Sequence, residues 1–229
     1  MVPHMAETEL TPYYEDECVT LYHADCLQHL DLLDRADVLV TDPPYGMSYT
    51  GFGGRKGEPR RHEGRLTIAG DKNTAARDVI TENWGTRPAL IFGSWRKPRP
   101  VNTRHRLIWS KGTDPGMGDL TMPWGNSDEE IYVLGKGWAG KRGSNVLTYP
   151  KPPVSNRPDH PTPKPVPLME RLLEACPPEW VIIDPFAGSG STLRAAKNLG
   201  RRAIGVEIEE RYCEIVANRL SQETLVLGV

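Results

Sequence analysis

Residues 180–207 read WVIIDPFAGSGSTLRAAKNLGRRAIGVE, and this stretch decides the fold. Trp180–Asp184 is a short apolar run of the kind buried on both faces of a sheet. It opens into Pro185-Phe186-Ala187-Gly188-Ser189-Gly190-Ser191-Thr192, after which helical spacing runs to Leu199. A second apolar run, Arg202–Glu207, follows. Strand, glycine turn, helix and strand form a β-α-β unit, which places a ligand crevice at the carboxyl end of the first strand. Glycines there let the backbone approach a ligand closely and take positive φ. The start of the helix presents free N–H groups to an anionic end such as a carboxylate. Glu207 closes the next strand, seventeen residues after Gly190, where an acid is suited to accept from ribose hydroxyls. The same turn serves nicotinamide enzymes and also plain helix–sheet packing. The dinucleotide fingerprint G-x-G-x-x-G is broken, because Leu193 stands at its third glycine.

Outward from this unit the alternation continues. Strands are expected at Val19–Tyr22, Asp37–Thr41, Pro88–Phe92, Arg106–Trp109 and Glu130–Leu134. Helices are expected at Cys26–Leu33, Asp78–Trp84, Val166–Ala175 and Glu209–Gln222. The pattern implies an α/β fold, a mainly parallel sheet with helices on both faces, in one domain spanning 1–229. Gly46–Gly70, rich in Gly, Arg and Lys, reads as a long mobile loop. Tyr149–Pro167 holds eight prolines and reads as an extended connector.

The net charge of -2 hides an uneven distribution. Residues 1–50 hold ten acids and one base, whereas 51–106 hold thirteen Lys/Arg against five acids. That basic segment is either a solvated loop region or a face for a polyanion. No apolar run reaches membrane-spanning length, and no secretory signal is expected. The four cysteines lack paired or metal-ligand spacing, so reduced thiols in a cytoplasmic protein without a metal site are expected.

The run Asp37–Thr41 leads straight into Asp42-Pro43-Pro44-Tyr45. An exocyclic amine on adenine or cytosine is a poor nucleophile, since its lone pair is delocalised into the ring. To attack a sulfonium methyl group it needs acceptors that draw its N–H bonds. The Asp42 carboxylate and the Pro43 carbonyl are such acceptors, and the two prolines stiffen that carbonyl's direction. A base must leave its duplex to reach them, and Tyr45 offers it an aromatic face. A Pro-Pro turn with a chance tyrosine is the bland alternative.

With both elements in view, the chain resembles the amino-methylating DNA methyltransferases, the N6-adenine and N4-cytosine enzymes. In them a D/N/S-P-P-Y/F/W tetrad is catalytic and a D-x-F-x-G-x-G element binds S-adenosylmethionine. Asp42–Tyr45 preceding Asp184–Thr192 looks like the permuted β group. His160-Pro161-Thr162-Pro163-Lys164-Pro165 is similar to the family segment bordering the methionine moiety. His23-Ala24-Asp25-Cys26-Leu27 is similar to the element contacting the adenine. The resemblance runs from about Leu21 to Leu220 and implies a Rossmann-like fold with a seven-stranded sheet. It implies catalytic roles for Asp42, Pro43, Pro44 and Tyr45. It further implies cofactor contacts from Asp25 and Cys26 near the adenine, and from Asp42 and Ile208. Phe186 would pack along the cofactor, with Asp184, Ala187, Gly188, Ser189, Gly190 and Ser191 on its methionine part. Glu207 would take the ribose, Lys164 the methionine carboxylate, and His160 a place beside it.

The implied partner is double-stranded DNA. A homodimer and a companion restriction nuclease are also compatible with the family. Larger family members carry a distinct target-recognition region. Here 135–160 is short, so recognition is expected to be shared with Gly51–Arg65 and with Arg96-Lys97-Pro98-Arg99. Asp at the first tetrad position is more usual for adenine enzymes, so N6 of adenine is the expected target. The alternatives are N4 of cytosine and a non-catalytic relative that only binds DNA or cofactor.

Overall fold

The computed structural model describes residues 10–44, 50–51, 66–67, 73–113, 121–152 and 163–222. Their strands are β1 (Tyr14–Glu15), β2 (Val19–His23), β3 (Val38–Thr41), β4 (Thr50–Gly51), β5 (Leu66–Thr67) and β6 (Ala89–Gly93). They continue with β7 (His105–Ser110), β8 (Asp128–Leu134), β9 (Val146–Thr148), β10 (Ile182–Asp184) and β11 (Ala203–Glu207). The helices are α1 (Ala75–Trp84), α2 (Val166–Leu173), α3 (Ser191–Asn198) and α4 (Glu210–Ser221).

One sheet runs in the order β1-β2-β11-β10-β3-β6-β8-β7-β9, and β4 pairs with β5 in a second. The block β2, β11, β10, β3, β6 is parallel, while β8 runs antiparallel to both of its neighbours. Nine strands replace the seven expected. The two extra are the sheet's edges, β1 and β9, which are too short and too exposed to leave an apolar run in the sequence.

Alternation along the strands builds two cores. Val38 and Val40 face one side with Leu168, Leu172, Leu193 and Val216 of α2, α3 and α4. Leu39 faces the other, with Leu32, Leu33 and with Ile80 and Trp84 of α1. Helices thus cover both faces, and the fold is the expected Rossmann-like α/β class. The helix expected at Cys26–Leu33 is instead two 3-10 segments, Cys26–Gln28 and Leu30–Arg35. His29, at φ -130 and ψ 50, breaks the turn between them, and Asp25 caps the first by accepting from the Leu27 N–H. No helix among the described residues is long and apolar enough to cross a membrane.

This topology positions the site. The chain leaves β3 for β6 on one side and β10 for β11 on the other, so a crevice opens beyond the carboxyl ends of adjacent β3 and β10. Gly205 makes the close packing above it feasible, since a Cβ there would lie 2.5 Å from Leu193 Cδ1 of α3.

Candidate active site

Asp42 follows β3 directly and Asp184 ends β10, so neighbouring strands deliver both acids to the same edge. Asp184 is fully buried and tied down: Thr41 Oγ1 donates to Oδ1 at 2.6 Å, Thr192 Oγ1 to Oδ2 at 2.6 Å, and the Phe186 N–H to Oδ1 at 3.2 Å. Burial pushes its carboxyl up to about 6, with the three donors pulling the other way and the nearby Asp42 charge adding to the rise. This acid therefore binds the residue before Asp42 to the first turn of α3. Both of its oxygens accept from groups of the two loops and so hold them together.

The glycine turn has the shape its sequence suggested. Gly188 and Gly190 stand at φ 52 and 71, in the left-handed region. The Gly188 N–H donates to Glu207 Oε2 at 2.8 Å, and the Glu209 N–H to Glu207 Oε1 at 2.8 Å. Burial raises the Glu207 carboxyl, against the pull of these backbone donors. Ala187 is buried and its N–H donates to the Val206 carbonyl, which docks the turn on β11. Ser189 and Ser191 hydroxyls lie 3.2 Å apart, and Ser191 Oγ donates to the Lys164 carbonyl. Arg219 of α4, which nothing in the sequence marked, braces the turn by donating to the Ser189 carbonyl at 2.9 Å.

At the neighbouring edge the register sets Glu207 opposite His23, and the Ala24 N–H donates to the Glu207 carbonyl. That brings Asp25 and Cys26 beside Glu207 and the half-exposed Ile208, whose carbonyl lies 3.2 Å from His23 Nε2. Burial, with Asp25's charge, pushes the Cys26 thiol up to about 12, so it stays neutral. The donor set fits a nucleoside joined to an amino acid. Glu207 suits ribose hydroxyls, partly exposed Phe186 and Ile208 suit apolar surface, and the first turn of α3 suits a carboxylate.

Lys164 lies between two acids. Its Nζ donates to Asp42 Oδ2 at 2.5 Å and lies 3.2 Å from Glu129 Oε2. Glu129 Oε1 in turn meets Lys111 Nζ at 2.7 Å. Burial alone would raise the Glu129 carboxyl, but the Lys164 and Lys111 ammoniums outweigh it and hold it low. Pro43 and Pro44 are buried. Tyr45 and His160 lie outside the described residues, as do most of 46–70 and the stretch 153–162.

A sequence profile of the DNA methylase family matches residues 108–218. The putative methylase YubD of Escherichia coli is 32% identical, over 81% of this chain and 82% of its own length. The chain belongs to the N6/N4 DNA methylase family. Another relative of this DNA methylase is the type II methyltransferase M.ScaI of Streptomyces caespitosus, 27% identical over 93% of this chain and 84% of that protein. The crystal structure of an M1.HpyAVI–SAM complex shares the methylase's fold, with a TM-score of 0.65 and 22% identity over 89% of this chain and all of that one.

Proposed function

We propose that this methylase moves a methyl group from S-adenosylmethionine to N6 of an adenine extruded from double-stranded DNA, as a single cytoplasmic methyltransferase domain. The observation that carries the reading is the tie from Thr41 through Asp184 to Thr192. It locks the strand end bearing Asp42 to the turn suited to the cofactor, so donor and acceptor would meet across one crevice. Both cores share a single sheet, which supports one domain.

S-adenosylmethionine supplies an electrophilic methyl on a positively charged sulfur. The chain's own part is to bind, orient and accept. Glu207 takes the ribose hydroxyls, Asp25, Cys26 and Ile208 border the adenine, Phe186 packs along the cofactor, and the Gly188–Ser191 turn meets its carboxylate. Asp42 and the Pro43 carbonyl draw the N–H bonds of the target amine, giving its nitrogen a lone pair to attack with, and Tyr45 stacks on the base. The amine's proton leaves to water after transfer. Trp95, 67% exposed just beyond β6 at this edge, stands beside Arg96, Lys97 and Arg99. Together they suit a duplex whose phosphates seek cations. Adenine is preferred over cytosine because Asp stands first in the tetrad.

Asp42→Ala tests the reading. The variant should keep S-adenosylmethionine binding by calorimetry yet lose most labelled methyl transfer into DNA from a host that lacks the modification. Wild-type turnover by the variant would overturn the catalytic assignment. Nucleoside mass spectrometry of the product decides the base: N6-methyladenine supports the proposal, and N4-methylcytosine replaces it.

A further inference from the structure

Four charges from four separate parts of the chain are joined in a run of ion pairs that begins at Asp42. Asp42 follows β3, Lys164 precedes α2, Glu129 lies on β8 and Lys111 follows β7. The contacts are 2.5 Å, 3.2 Å and 2.7 Å, alternating in sign, so the row is neutral as a whole. Lys164 is only 6% exposed, and its ammonium lies 5.0 Å from the Phe92 ring centre and 6.0 Å from that of Trp109. Pro163 and Pro165 restrict the backbone on either side of it, and its carbonyl is held by Ser191 Oγ.

A buried lysine is costly unless paired, and an apolar residue would fill the same space more cheaply. Pairing with Asp42 has a chemical use. An extruded base entering the crevice strips water from the carboxylate, and a desolvated carboxylate tends to take up a proton. Once protonated it no longer accepts freely from the amine. A fixed cation on one carboxylate oxygen opposes that protonation and also sets the rotation of the group. Glu129 keeps the ammonium from drawing too strongly on Asp42, and Lys111 balances Glu129 in turn. Asp184, tied to Thr41, is a further charged neighbour of Asp42.

We propose that Lys164, backed by Glu129, is the positioning residue for Asp42: it fixes the carboxylate's rotation and keeps it ionised when the extruded base displaces water. This rests on the methyltransferase reading above and moves Lys164 from the cofactor's carboxylate to the catalytic acid.

Lys164→Met, Lys164→Arg and Glu129→Gln are compared with wild type by methyl transfer into unmodified host DNA from pH 5.5 to 9, with S-adenosylmethionine affinity measured by calorimetry. Lys164→Met should lower kcat by about 10²-fold, with cofactor affinity changed less than about threefold. Its acid limb should move up by about one pH unit or more, the scale of a lost opposite charge. Lys164→Arg should recover at least tenfold of the loss. Glu129→Gln, which leaves the cation in place, should move the acid limb the other way. A Lys164→Met protein that loses cofactor affinity in step with activity would overturn the proposal in favour of carboxylate binding. A lowered kcat with an unmoved pH profile would reduce the lysine to a structural part. If Lys164→Met fails to fold, the direction of the Glu129→Gln shift decides: no shift, or an upward one, refutes the idea. A wild type that methylates no DNA removes the underlying reading, whereas an active wild type with these contrary variants removes only the inference.

Discussion

Replacing Gly190 with alanine tests whether the glycine turn is held by backbone conformation and by packing at once. Gly190 stands at φ 71, and a Cβ built there would lie 2.9 Å from both methyl groups of Val216 on α4. The left-handed conformation costs a residue with a Cβ about 1–2 kcal/mol. Driving a methyl group into a filled core costs a further ~1–3 kcal/mol. Gly190→Ala should therefore lose roughly 2–5 kcal/mol, read as a drop in Tm of roughly 4–20 °C for a chain of this size. Val216→Ala opens the space that the new methyl needs, so it should relieve the second cost and leave the first. In a thermal or urea double-mutant cycle the pair should be more stable than additivity predicts, by about 1–3 kcal/mol. Additive losses would show that the alanine never meets Val216. A stable single variant would refute the strain argument as well.

Asp184→Asn should change how stability responds to pH. The Asp184 carboxyl sits at about 6 in the fold against 3.8 unperturbed, so the folded chain favours its protonated form. That contribution is present below pH 4 and lost as pH rises through 6, about two units or ~3 kcal/mol on an order-of-magnitude scale. Wild type should therefore lose Tm relative to the asparagine variant between pH 4 and 6.5, and a constant difference would contradict the buried ion. Glu207→Gln sets an amide NH₂ against the N–H of Gly188 or Glu209, loosening the turn while keeping its shape. Affinity for S-adenosylmethionine should fall about tenfold or more by calorimetry, and an unchanged Kd would sink the ribose role.

The parts of the site that lie within one local segment were legible beforehand. The strand before Asp42 and the strand, turn and helix around Gly190 announce themselves because alternation, proline and glycine act over a few residues. The weaker pieces were not legible. Strands β1 and β9 are two and three residues long, so they exist only because a neighbouring strand offers ladder partners. Glu129 stands among acids at the start of a strand, and Arg219 sits on an ordinary amphipathic helix. Neither carries a local signal.

The chain by itself determined the longer apolar strands, where the turn bends and which four residues end the β3 run, since those follow from side-chain pattern and backbone restriction. Tertiary structure alone decided who meets whom. The Thr41–Asp184 bond joins residues 143 apart, and the Lys164–Asp42 pair joins residues 122 apart. Strand order brings them together, and strand order arises from burial summed over the whole sheet. That is why Lys164, far from the tetrad in sequence, lies against the Asp42 carboxylate.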